Sequence, residues 1–573
     1  VSPLDPAIVD FIRETVASDR YAAYLRDTLM TLLAIDTTPG GSLADTATHE
    51  RELLDWLAHE VSDICGSDVV VERVGINRAI ADDPDYTLPS YAADGHGQML
   101  PVDRVYADRS NLVVTLPGAR ENANAQQTAP PAVILNAPID EACSWFAPRS
   151  AGGRVHGRGA CGAKVQVALL IAQMKLLREV EEKFSKRATH RRVYQFVIDA
   201  AAGGHGSLSL AMDPGLQGVP VVVHASTDGR SYCAQPGIVT YRCRLSVDKN
   251  AVGSAIELFP FVVQELEAEG RQLRDETDHP MFACGQVQTN PGTLGHYGHG
   301  PLTVCDHVAI EIYAEAKANP ERIGMKMIEF MDDALAEYTR VYGDKTREID
   351  PATGKPKVQR HFELKLMPKP DVIGFRIDVW GQGGHMGALE SCDNALLKAA
   401  YLLGALIRVA GSFPAIRAEG RLAESPDDRS DIVMTGAQSF SPTHSVSDVE
   451  ARLTAAAQRG VQHYCQIRGR RPENVQVETA FGPLRGDAFA GSGEVKPMTT
   501  TKAAFRALGQ PWPEQVAWKA GSDAWIYHHK GHPVVVFGAG KLEGAGHGDE
   551  SIDMADLQNT LAVSTLATWS MVQ

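Results

Sequence analysis

Four short runs in this chain, residues 111–116, 132–136, 192–198 and 219–223, are rich in apolar side chains, and each is shorter than an ordinary helix. A strand apolar on both faces must be covered on both, which a mostly parallel sheet with helices on either side achieves. Between the runs, residues 22–35, 46–64 and 164–182 repeat apolar positions at helical spacing. With a further strand at 69–74, strands and helices alternate, and that order specifies an α/β sandwich. The polar stretch 82–108, broken by Pro and Gly, reads as a long surface loop of the functional kind.

From about Thr240 the texture changes. Residues 241–247 alternate apolar and polar, as do 308–313 and 374–379, with long helices at 254–272, 325–342 and 394–409. Alternation marks half-exposed strands, and hence a smaller α+β domain with one open sheet face. Buried-strand texture returns at 475–479 and 534–537. The order predicts an insertion: 1–238 and 424–573 build the α/β domain, and 239–423 is an α+β domain set into it. A length of 573 residues calls for more than one core in any case.

A formal net charge of −16 argues against nucleic-acid and anionic-membrane partners, whose phosphates need Lys and Arg. No apolar run is long enough to span a bilayer, and residues 1–20 carry no signal-peptide core. The nine Cys are scattered, odd in number and free of any C-x-x-C pair, which fits a reduced, cytoplasmic setting.

Four segments in order carry a more specific pattern. They are Val133 to Asp140 (VILNAPID), Gly157 to Lys164 (GRGACGAK), Phe196 to Gly204 (FVIDAAAGG), and Val534 to Gly540 (VVVFGAG) running on to Gly546–Glu550 (GHGDE). Between the third and fourth lies Gly381 to Met386 (GQGGHM). In order and spacing they resemble the active-site segments of the dinuclear-zinc metallopeptidases that include aminoacylases, succinyl-diaminopimelate desuccinylase and glutamate carboxypeptidases. The resemblance spans nearly the whole chain. It implies a zinc-exopeptidase-like α/β sandwich with an inserted lid and dimerisation domain. It also implies two zinc ions bridged by a carboxylate and a water, with a Glu as general base.

The same resemblance places donor-free residues at the positions that do this work. Pro138 stands at the first His, Gly162 at the bridging Asp, and Ala200 and Ala201 at the general base and the Glu beside it. A further carboxylate is expected after the strand that ends near Val223. The best register puts Ala225 there, with Asp228 as the alternative. His547 remains as a ligand type, and Asp140 as the carboxylate that orients a His. Zinc needs three or four N, O or S donors at about 2.0–2.3 Å, so neither metal nor cofactor is expected here.

Asp140, Cys143, His385 and His547 are the candidates for chemistry, and Glu141, Cys161, His205 and Asp228 for contacts to substrate. Cys161 stands where a helix N-terminus lowers a thiol pKa, although a small buried residue is the commoner use of a free Cys. Cys143 lies on the loop that should line the pocket. His205 and His224 also suit hydrogen-bonded structural roles. By the resemblance, His385 reaches a neighbouring subunit's site. Three readings stay open: a metal-independent enzyme acting on an amino-acid or peptide-like substrate, a non-catalytic protein that binds a ligand or an active relative, and a hydrolase with a rebuilt metal site. Several titratable residues in adjacent segments favour the first. A homodimer through the inserted domain is expected.

Overall fold

The structure is a computed structural model that describes residues 4–39, 42–89, 91–92, 99–119, 130–248, 254–315, 319–349, 354–368, 372–409, 417–419 and 429–573. The chain divides into two compact units: Val1–Ile238, Asp278–Gln286 and Gly482–Gln573 form one, Val239–Thr277 and Val287–Phe481 the other.

The first unit is built on a seven-stranded sheet. Its order is Val70–Gly75, Ser110–Leu116, Arg192–Val197, Val133–Pro138, Val221–His224, Val534–Phe537, Ser231–Tyr232. The four strands from Arg192–Val197 to Val534–Phe537 run parallel, and the outer strands join antiparallel. All residues of Arg192–Val197 and Val221–His224 are buried, as two-sided apolar runs require. Helix Ala163–Phe184 packs against Asp19–Ala34, Leu43–Cys65 and Met554–Val572. Its buried Gln173 donates to Ser564 Oγ at 2.6 Å and accepts from Tyr194 OH at 3.0 Å, so the polar group costs the core little. The C-terminal ends of the parallel strands lie along one sheet edge, where α/β folds place their sites.

The second unit holds two four-stranded sheets. One contains Thr289–Leu294, Arg429–Phe440, Gly237–Asp248 and Val475–Gly486. The other is antiparallel and contains Phe362–Pro368, Val372–Trp380, His307–Glu315 and Arg417–Glu419. Helices Phe259–Asp275, Pro320–Tyr342, Ala395–Arg408 and Val446–Arg468 complete it. The expected boundary at 423/424 lies outside the described residues, yet the unit continues to Phe481. Strand Val475–Gly486 belongs to this unit's sheet, and between its buried ends its residues are exposed or half-buried. Only Val475 and Val477 are apolar in its first five residues, too few for the two-sided burial read from the sequence. Among the described residues, no helix is long and apolar enough to cross a membrane.

Candidate functional site at the strand ends of the first unit

Strand Val133–Pro138 delivers Asp140 and Glu141 to the sheet edge, and both carboxylates are buried. Asp140 accepts hydrogen bonds from Ala200 N at 3.0 Å and Ala201 N at 2.8 Å, in the turn that follows the next strand. Burial, then the negative charge of Asp199, pushes its pKa well above the ordinary carboxylate range. Glu141 Oε1 accepts from Ala163 N at 2.7 Å and Lys164 N at 3.2 Å, the opening amides of helix Ala163–Phe184. The cap residue of that helix, Gly162, has no side chain with which to satisfy them. A Cβ at Gly162 would collide with Oε2 of Glu141 and press tightly on Oε1. The Glu141 carboxylate therefore fills the space that a side chain at position 162 would enter.

A second carboxylate closes the same loop. Glu550 Oε1 accepts from Gly159 N at 3.1 Å, Cys161 N at 2.8 Å and Gly162 N at 3.0 Å, and Oε2 accepts from Arg158 Nη1 at 2.7 Å. Between them the two glutamates satisfy the backbone amides of residues 159 and 161–164. Burial and the nearby Glu550 charge push Glu141 up to about 7. Lys164 turns the other way, its ammonium donating to Ile35 O, and burial lowers its pKa.

The third group centres on Asp199, held in the left-handed region at φ 61°. Its carboxylate takes Arg109 Nη2 at 2.5 Å, Tyr91 OH at 2.5 Å and Tyr106 OH at 2.7 Å. Arg109 in turn donates to both oxygens of Glu50, at 2.6 and 2.8 Å. Burial works against the ionised form of Asp199, but the Arg109 guanidinium beside it prevails and holds the carboxyl well below the usual range. His205 is fully enclosed between Tyr106 OH, 2.8 Å from Nδ1, and Thr87 Oγ1, 3.3 Å from Nε2. Asp523, which takes Ser207 Oγ at 2.6 Å, is pushed up to about 6 by burial.

The remaining candidates divide. Burial pushes the Cys143 thiol up to about 11 and the Cys161 thiol up to about 12. Cys161 Sγ donates to Ser551 O at 3.0 Å, so desolvation prevails over any lowering by the helix N-terminus. His224 is buried with Nδ1 3.2 Å from Asn136 O, and burial lowers its pKa to about 4. Asp228 is exposed on a left-handed turn at φ 54°. His547 is half-buried in the turn after Gly546, and no side-chain hydrogen bond to it is made among the described residues. His385 belongs to the second unit. It lies on Gly384–His385, paired with Thr303–Val304, and its Nδ1 accepts from Gly387 N at 3.0 Å. Burial lowers its pKa to about 4.

Asp140, Glu141, Cys143, Cys161 and His205 thus share the strand-end edge, and Asp228 is exposed, its carboxyl pKa raised by partial burial. Glu550, Arg109, Glu50 and Asp199 were not anticipated as parts of this network. Glu550 carried one signal, its place in the GHGDE segment, and Arg109 another, a cation at the mouth of an apolar run.

The side chains present do not fit a two-zinc centre. Pro138, Gly162, Ala200 and Ala201 bring no donor atoms. The nearby carboxylates of Asp140, Glu141 and Glu550 are engaged by backbone amides, and that of Asp199 by Arg109 and two tyrosines. Among the described residues, no group of three or more His, Cys, Asp or Glu is placed to hold a metal ion.

No family model matches the sequence, and no curated protein does. Solved structures do match. Human carnosine dipeptidase 1 is 12% identical at a TM-score of 0.55, over 99% of this chain and 100% of that one. The dipeptidase Dug1p of Saccharomyces cerevisiae is 10% identical at 0.53, over 98% of each chain. The chain has the fold of these two dipeptidases along essentially its whole length.

Proposed function

We propose that this chain is a non-hydrolysing protein of the metallopeptidase fold, which receives an amino-acid or peptide-like ligand at the strand ends of its first unit. Two-zinc hydrolysis is absent from this reading. The observation that carries it is the Glu141 carboxylate, which fills the space beside Gly162 and caps the helix that a bridging ligand would begin. The ligand class is carried over from the two dipeptidases that share the fold. A homodimer through the second unit and a cytoplasmic setting belong to the same proposal.

A second reading, metal-independent proton transfer, draws support from two groups. Burial and the Glu550 charge push Glu141 up to about 7, near the optimum for a general acid or base at neutral pH. His547 has no side-chain hydrogen bond among the described residues. The thiols offer less, because at about 11 and 12 they are almost wholly protonated at neutral pH.

Incubation with dipeptides and N-acetyl amino acids, with and without chelator, tests both readings. The first expects a ligand-dependent rise in Tm without turnover. Chelator-insensitive turnover lost in Glu141→Gln or His547→Ala favours the second. Chelator-sensitive turnover overturns both.

A further inference from the structure

Three helices of the second unit line an open groove of about 530 Å³. Phe259–Asp275 contributes Arg271; Pro320–Tyr342 contributes Phe330, Asp333 and Glu337; Ala395–Arg408 contributes Tyr401 and Arg408. The residues from each helix recur at intervals of three, four or seven, so each helix turns one stripe toward the space. The volume lies within the roughly 300–1,000 Å³ of small-ligand sites.

The charges around this groove are segregated by helix. Arg271 donates to Tyr342 OH at 3.2 Å, and Arg408 to Gln264 Oε1 at 2.8 Å, both neutral partners. Glu267 lies near enough to raise the pKa of Arg271, but its Oε1 accepts from Tyr342 OH instead, at 2.9 Å. Among the described residues, none of Arg271, Arg408, Asp333 and Glu337 forms a salt bridge. The two cations come from two helices and the two acids from the third, with the rings of Phe330 and Tyr401 on the lining as well.

We propose that this groove binds a small zwitterion, an amino acid or dipeptide with an apolar side chain. Its carboxylate would lie against Arg271 and Arg408, where a guanidinium fork matches it, and its ammonium against Asp333 and Glu337. The aromatic rings cover the apolar body between. This site is separate from the strand ends of the first unit and does not depend on how those function.

Calorimetry with the full chain and glycyl-phenylalanine tests it. Arg408→Gln and Glu337→Gln alter exposed side chains, so the fold should survive both. Each is expected to weaken binding at least about tenfold, the loss of one charge-assisted contact. Blocking the peptide's amine by acetylation is expected to do the same. Heat that persists in the double variant Arg408→Gln/Glu337→Gln belongs to the strand ends of the first unit, which separates the two sites. The proposal is overturned by no binding at millimolar peptide, or by equal binding to wild type and both variants. It is also overturned if the acetylated peptide binds as tightly and Glu337→Gln is silent, since the groove is then an anion site only.

Discussion

The strand-end network of the first unit and the groove of the second treat charge in opposite ways. At the strand ends Asp140, Glu141, Glu550 and Asp199 are buried, and each is met by amides or by a guanidinium of its own fold. Around the groove, two cations and two acids line an open space without pairing. A buried carboxylate must be neutralised or hydrogen-bonded to persist. Where metal or substrate performs that task, donors face the cavity; here the chain has supplied its own partners. The contrast teaches that a cluster of acids at a familiar address is not evidence of a metal site until their partners are counted.

The comparison breaks most visibly at Arg109. Arg109→Ala leaves Glu50 and Asp199 buried without their cation, and a loss of about 3–5 kcal/mol is expected in denaturant unfolding. A loss under about 1 kcal/mol would mean that the network is not the internal support described above. Next comes the packing of Glu141 against Gly162. Gly162→Asp is expected to destabilise the chain through its collision with Glu141. The double variant Glu141→Ala/Gly162→Asp should recover part of that loss, with a coupling energy of about 1–3 kcal/mol. Strict additivity in the cycle would remove the claim that the two positions compete for one space.

A third effect is smaller and depends on pH. The folded pKa of Glu141 is raised from 4.5 to about 7, so the folded state binds its proton more tightly than the unfolded state. That stabilisation is fully present below about 4.5 and is lost as pH rises through about 7. Relative to Glu141→Gln, the wild type should therefore lose roughly 2–3 kcal/mol between pH 4.5 and 8. Parallel pH curves for the two proteins would contradict the assignment. The smallest effect belongs to the groove, where Arg408→Gln and Glu337→Gln should change stability by no more than about 0.5 kcal/mol. Larger losses would show that these charges support the fold.

Much of the architecture was legible in the sequence, because burial on two faces leaves a mark. The runs at 192–198, 219–223 and 534–537 are all strands of the first sheet, and the parallel core follows from them. The segment 475–479 misled because two alternating valines resemble a short buried run when exposure is unknown. At the site, the donor-free Pro138, Gly162, Ala200 and Ala201 could be read residue by residue. What replaced them could not. Glu141 reaches amides 22 residues away, and Glu550 reaches one 391 residues away, by contacts that leave no periodicity. At Cys161 the helix start was legible in the sequence, but not the burial that pushes its thiol up.

The central claim is that the first unit's strand ends form a self-satisfied network and not a two-metal centre. Zinc content tests it most directly: the full chain is dialysed against excess zinc, desalted, and assayed by elemental analysis. Well under one zinc per chain is expected, because His547 alone among the resemblance's metal-binding positions keeps a clear donor side chain. Two tightly held zinc ions per chain would contradict the account.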